Sequence, residues 1–204
     1  MIDPTRLERA LGEALSAQAL EDTPEGLACA LRYAVFPGGA RVRPRLLMAV
    51  AGANGDDHPS ITDAAGAAIE MLHCASLVHD DLPCFDGANL RRGKPSLHVA
   101  FGEPLAVLTG DALIVLAFQT LGVACAPAIE RLAPLLRIIG GGVRVPHGIV
   151  AGQAWECEED IPLSRYQQAK TGWLVAAAPK AGAAAAGAAP SQWSRRGQCI
   201  GEAY

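Results

Sequence analysis

The chain has 204 residues, half of them hydrophobic and 5% aromatic, with a formal net charge of −4. That length gives one large domain or part of a larger one, and the acidic balance argues against general nucleic-acid binding. The six cysteines show no C-x-x-C spacing, so neither a zinc site nor a disulfide framework is indicated, and reduced thiols in a cytoplasmic setting fit best.

Ala, Leu and Arg favour helix and β-branched alternation is scarce, so the expected class is all-α. Pro4 to about Gln18 reads as a first amphipathic helix with Leu7, Ala10, Leu11 and Leu15 on one stripe. Glu25 to Val35 reads as a second, broken by Pro37-Gly38-Gly39. Pro44 opens a third through Val50, since proline suits the first helical turn. Thr62 or Asp63 is the expected cap of a long helix from Ile61 to Asp81. Glu103-Pro104 starts another, to about Ala126, so uniformly apolar that it should be central and buried all round. Ala128 to Ile139 forms a further helix, ended by Gly140-Gly141-Gly142, and Gly148 to Glu156 is apolar enough to pack. Ser164 to Ala189 completes the set, with Pro179 expected to kink or interrupt it. The polar, helical N-terminus is not expected to act as a signal peptide, and no apolar run is expected to be long enough to span a bilayer.

One stretch concentrates charge. His79-Asp80-Asp81-Leu82-Pro83-Cys84-Phe85-Asp86 is followed by Leu90-Arg91-Arg92-Gly93-Lys94-Pro95. Pro83 disfavours helical geometry in the residue before it, so the helix should stop near Leu82. Asp80 and Asp81 then sit in the last turn, where the macrodipole makes each cost about 0.3–1 kcal/mol. A hard divalent cation such as Mg2+ reverses that cost and takes oxygen ligands, and Asp86 is placed to return toward Asp80. A solvated acidic helix end salt-bridged to Arg91 or Arg92 explains two adjacent acids, but not the third acid and the basic run at this spacing.

Gly38-Gly39-Ala40-Arg41-Val42-Arg43-Pro44 sets two arginines and flexible backbone at a helix start, an arrangement that suits either phosphate oxygens or a charged surface loop. His73 and Ser76 share a helix face with Asp80, so His73 lines the wall of any pocket that Asp80 enters. Lys170-Thr171-Gly172 is a weaker cationic signal.

Together these segments, with His98, Gly110-Asp111-Ala112-Leu113 and Gly152-Gln153, resemble the trans-isoprenyl diphosphate synthases from about residue 25 onward. The likeness is to the bacterial geranylgeranyl and farnesyl type, including those of carotenoid pathways. The resemblance implies a single domain over residues 1–204, a bundle of antiparallel helices around a deep central cavity, and a homodimer. It implies a Mg2+-dependent prenyltransferase that joins isopentenyl diphosphate to an allylic diphosphate (dimethylallyl, geranyl or farnesyl). Asp80 and Asp86 would hold the metal, with Asp81 nearby. Arg91, Lys170, Thr171 and Gln153 would contact the allylic diphosphate, and Arg43, His73 and Arg92 the isopentenyl one. Ala75 and Ser76, small and one turn below Asp80, would leave a low floor and favour the C20 product over C15.

Three departures from the family pattern stand out. Ala40 replaces a frequent Lys, so one isopentenyl-diphosphate contact is expected to be missing. Gly87-Ala88-Asn89 replaces a more acidic segment. The chain ends at Gly201-Glu202-Ala203-Tyr204, where the family's second aspartate-rich motif would follow, so either a fragment of a longer enzyme or a naturally shortened relative is expected, with weak substrate and metal binding and turnover poor or nil. Two other functions are consistent with parts of the pattern. A regulatory subunit of a synthase would fit the missing motif. A metal phosphohydrolase built on His73, His79 and Asp80 would need residues six apart on a helix to face one point.

Overall fold

The computed structural model describes residues 4–16, 20–36 and 38–204. Helices α1 (Pro4–Ala14), α2 (Glu25–Val35), α3 (Val42–Ala53) and α4 (Pro59–Asp80) come first. A two-stranded antiparallel hairpin, β1 (Leu90–Arg91) and β2 (Lys94–Pro95), follows. Then come α5 (Leu97–Phe101), α6 (Glu103–Ala124), a 3-10 turn (Ala126–Arg131), α7 (Leu132–Gly141) and α8 (Ile149–Ala154). Helix α9 (Leu163–Gln167) passes through a π-helical turn (Gln168–Gly172) into α10 (Trp173–Ala185), and α11 (Ser194–Ala203) closes the described chain. The class is all-α, as expected.

Helix α1 packs on α4 and buries Leu7, Ala10 and Leu11, and Leu15, just past its end, is buried with them. The expected end of this helix at Gln18, and Pro37 of the second break, lie outside the described residues. Helix α4 forms the centre, packed on α1, α3, α6 and α10, with its side chains from Ile61 to Cys74 almost entirely buried. Its N-terminus differs from expectation. Pro59 occupies the first helical position after His58, with no side-chain cap, and the Thr62 hydroxyl instead donates to Asp56 Oδ1 at 2.5 Å. A proline there removes one of the unpaired N–H groups at the helix start.

The helix expected to be buried all round is not. Helix α6 buries Ala106, Thr109, Gly110, Leu113, Ala117 and Leu121, while Val107, Leu108, Val115 and Val123 are exposed. The helix that is enclosed is α10, where every residue from Leu174 to Ala186 except Lys180 is buried. Uniform apolarity carries no directional signal, whereas small Ala and Gly side chains permit the closest packing. Helices α4 and α6, at 22 residues each, are also long and apolar enough to cross a membrane by length and composition. That corrects the expectation of no such run. The apolar window of α4 is 78% buried within the fold, and that of α6 only 33%.

Further along, the expected helix over 128–139 starts as the 3-10 turn and runs on to Gly141, and the one over 164–189 stops at Ala185. Pro179 does not interrupt α10. It sacrifices one donor, and its ring packs near Gly197 of α11, which offsets the loss. The irregularity falls upstream instead, in the π turn. The hairpin was not anticipated: its strands are two residues long, and its turn uses Arg92 (φ 54) and Gly93 (φ 77). Two successive positive φ values match the strand twist.

Candidate active site

Helix α4 ends where Pro83 requires. Asp81 keeps helical geometry (φ −74, ψ −12) and its N–H reaches the Leu77 carbonyl. The next residues fold back, with the Asp86 N–H donating to the Asp80 carbonyl at 3.0 Å. Asp80 and Asp81 are only 5% and 3% exposed, while Asp86 faces solvent. These acids are therefore not a solvated helix end.

Two other elements complete the cluster. The 3-10 turn Trp155–Cys157 after α8 presents Glu156, and one carboxylate oxygen from each of Asp80, Asp86 and Glu156 lies within 4.8 Å of the others. The π turn presents Lys170, whose Nζ donates to Asp80 Oδ1 at 2.8 Å and Glu156 Oε1 at 2.6 Å. Burial disfavours the Lys170 ammonium, but its bonds to Asp80 and Glu156 outweigh that and raise its pKa. Gln153 Nε2 donates to the Ser76 carbonyl at 2.9 Å and reaches Asp80 Oδ1 at 3.5 Å. This convergence needs Gly152: a Cβ there would lie 2.4 Å from the Lys170 backbone, so any side chain would push the π turn away. Three clustered carboxylates with no nitrogen or sulfur donor suit a hard divalent cation, and the residues present fit one.

The basic residues separate into two kinds. Arg91 pairs through Nε with both oxygens of Asp81, at 3.1 and 3.0 Å, and through Nη2 with Oδ1. Arg92, in the hairpin turn, lays its guanidinium over Gly39. Arg43 is 8% exposed, its Nε has no hydrogen-bond partner among the described residues, and its guanidinium sits 5.6 Å over the Tyr204 ring. Burial lowers its pKa. His73 stands among these cations. Desolvation first, then Arg43, Arg92, Arg41 and Arg91, push its pKa down to about 3, so it is neutral at pH 7. The other arginine of the same sequence segment has a different role. Arg41 donates to Glu70 (2.8 Å), Glu8 (2.9 and 3.3 Å) and the Val35 carbonyl (2.8 Å) and is itself buried. It ties α1, α2 and α4 together and is not free for an anion.

The remaining candidates are spread out. Ala75 is sealed in the apolar core at 1% exposed. Ser76 is half-buried, with its hydroxyl donating to the His73 carbonyl at 2.8 Å. Thr171 lines a recess of about 480 Å³ with Gln168, Glu202 and Tyr204. A cavity of about 50 Å³ between α2, α4 and the hairpin is bordered by Cys74, Leu77, Asp81, Arg91 and Arg92. His79 turns to α6, its Nε2 3.7 Å from Asp111 Oδ1, so His73, His79 and Asp80 do not converge as a phosphohydrolase centre. Two residues missing from the sequence reading are Glu156 and Tyr166, whose hydroxyl donates to Glu156 Oε1 at 2.5 Å. The acidic run Glu156, Glu158, Glu159, Asp160 after an apolar helix was the available signal.

Comparison with known proteins agrees with this arrangement. The polyprenyl synthetase family pattern matches residues 24–204. The geranylgeranyl diphosphate synthase of Cereibacter sphaeroides is 52% identical over 199 residues, covering 98% of this chain and 69% of that protein. That of Rhodobacter capsulatus is 53% identical with the same coverage. Among solved structures, a geranyltransferase from Legionella pneumophila superposes with a TM-score of 0.86 at 32% identity, covering 97% of this chain and 73% of that one.

Proposed function

The chain belongs to the polyprenyl synthetase family, and on that basis we propose that it is a prenyltransferase condensing isopentenyl diphosphate with an allylic diphosphate, with geranylgeranyl diphosphate as product. One observation carries the proposal. At one end of α4 an all-oxygen acid cluster stands beside an arginine group in which Arg43 is buried without a partner for Nε. Acids that repel and a buried guanidinium whose Nε–H is unbonded among the described residues both cost stability. A metal and a diphosphate reverse both costs.

The residues then divide the work. Asp80 and Asp86 would hold Mg2+, which supplies Lewis acidity to draw charge from the departing diphosphate. Lys170, Arg91, Gln153 and Thr171 bind the allylic diphosphate, and Arg43, Arg92 and neutral His73 orient the isopentenyl one. The allylic C–O bond breaks with its electron pair on pyrophosphate, the isopentenyl double bond attacks the allylic cation, and a proton leaves the product. No protein nucleophile is needed, and preorganised charge is the main lever. Ala75 is sealed in the core and sets no floor; the small half-buried side chain of Ser76, together with the names of the two bacterial relatives, supports the C20 product. The exposed apolar side of α6 supports a homodimer, and free exposed thiols such as Cys84 and Cys157 are in keeping with a cytoplasmic location.

The test is incubation with isopentenyl and farnesyl diphosphates and Mg2+, reading product length by chromatography. A C20 product, formed at low turnover by this chain and absent without Mg2+, is expected; products stopping at C15 would overturn the length assignment. Ser76→Phe should shorten the product.

A further inference from the structure

We propose that Glu156 is a third carboxylate of the divalent-cation site, held in place by Tyr166 and Lys170. This rests on the prenyltransferase reading and assigns that site a residue neither the sequence nor the comparisons supplied. The two oxygens of Glu156 are in different states. Oε1 accepts from the Tyr166 hydroxyl at 2.5 Å and from Lys170 Nζ at 2.6 Å. Oε2 is buried and, among the described residues, has no hydrogen-bond partner. Leaving one carboxylate oxygen dry costs about 1–3 kcal/mol or more. A residue serving only to neutralise Lys170 gains nothing from that.

Geometry supplies the missing partner. A Glu156 oxygen lies within 4.8 Å of oxygens on Asp80 and Asp86, close enough for all three to share one ion. Lys170 already bridges Asp80 to Glu156, so a monovalent cation holds two of the three acids together from one side. The clamp on Oε1 fixes the carboxylate, and Oε2 is the oxygen left without a partner among the described residues. Helix α8 and the π turn, locked together at Gly152, thus bring to the site a ligand seventy-six residues from Asp80 in the sequence.

The experiment measures Mn2+ binding with inorganic pyrophosphate present, by electron paramagnetic resonance, alongside the number of waters on the bound Mn2+ by proton relaxation. Glu156→Gln should weaken Mn2+ about tenfold or more and raise the count of bound water by about one. The same weakening should persist when Glu156→Gln is made on a Lys170→Met background, where no ammonium remains to be neutralised. Unchanged affinity and water count, or an effect that vanishes on that background, would overturn the proposal and leave Glu156 as the counter-ion of Lys170. If Glu156→Gln fails to fold, Glu156→Asp keeps the charge and shortens the reach; it should still weaken Mn2+, and wild-type affinity in that variant counts against the proposal. Asp86→Asn separates the two levels of inference. If it too leaves Mn2+ unaffected, the metal-site reading itself fails, whereas loss there with no loss at Glu156 refutes only this assignment.

Discussion

Helix α4 carries buried charge at two levels that are built in opposite ways. At Glu70, the Arg41 guanidinium is used completely, with bonds to Glu70, Glu8 and the Val35 carbonyl. Arg41 also takes a left-handed backbone (φ 51), a strain of about 1–2 kcal/mol that its bonds help to offset. Ten residues on, about 15 Å along the axis, Asp80, Asp86 and Glu156 stand together, one ammonium bonds Asp80 and Glu156, and one buried Glu156 oxygen has no partner among the described residues. The first arrangement is closed and has nothing to offer a ligand. The second is incomplete by itself and gains from one. The two levels of α4 differ in completeness of pairing more than in burial or charge.

The sharpest way to break that contrast is to open the closed level. Arg41→Met leaves Glu70 buried and uncompensated, and such loss of one partner costs about 3–5 kcal/mol. Urea unfolding should show a drop of that size, with Mn2+ affinity of the folded fraction unchanged. A variant that kept its stability but lost the metal would merge the two levels into one.

The converse substitution acts at the open level. Asp86 is exposed, so Asp86→Asn should move unfolding stability by no more than about 0.5 kcal/mol. Affinity for Mn2+ in the presence of pyrophosphate should nevertheless fall about 10–100-fold, as for loss of a direct or supporting ligand. A stability loss with affinity intact would reverse the assignment of the two levels.

The same contrast explains what the sequence could and could not disclose. The end of α4 was legible because Pro83 enforces it locally, and Asp80 and Asp86 followed from that. The stripe of α1 was legible because its period is helical. Arg41 and Arg43 could not be told apart, because what separates them is Glu70, far along the chain and on another helix. Glu156 was missed for the same reason: its relation to Asp80 exists only after α8 docks on the π turn. The burial of α6 was misjudged because an apolar surface facing a core and one facing outward have the same composition. The hairpin escaped because its turn places Arg, and not Asn or Asp, at the first positive φ.

A smaller effect tests whether the arginine group is electrically real. His73 is held at a pKa of about 3 by desolvation and then by Arg43, Arg92, Arg41 and Arg91, against about 6.5 when unfolded. Between these values the unfolded chain binds a proton that the folded chain does not. Stability therefore rises with pH across this window and is lost as pH falls from about 6.5 toward 3, with a slope of at most about 1.4 kcal/mol per pH unit for one proton. His73→Asn should flatten the stability profile between pH 6.5 and 4 relative to wild type. An unaltered profile would mean that neither burial nor those cations shifts His73.

The smallest expected effect concerns how the cations are aimed. Gly93 has φ 77 beside Arg92 at φ 54, and replacing it with Ala costs about 1 kcal/mol of local strain. No charge is removed, and no atom lies within 4 Å of a Cβ built there, so packing does not oppose the change. If Arg91 and Arg92 merely balance the acids through space, Gly93→Ala should leave diphosphate affinity as it was. If the hairpin aims them, Arg92 over Gly39 and Arg91 along Asp81, relaxing the turn should raise KM for isopentenyl diphosphate severalfold while kcat changes little. Comparing those two constants with the thermal midpoint separates aiming from stability. A fall in the midpoint with both constants unchanged would place the hairpin with the closed level of α4, as scaffold.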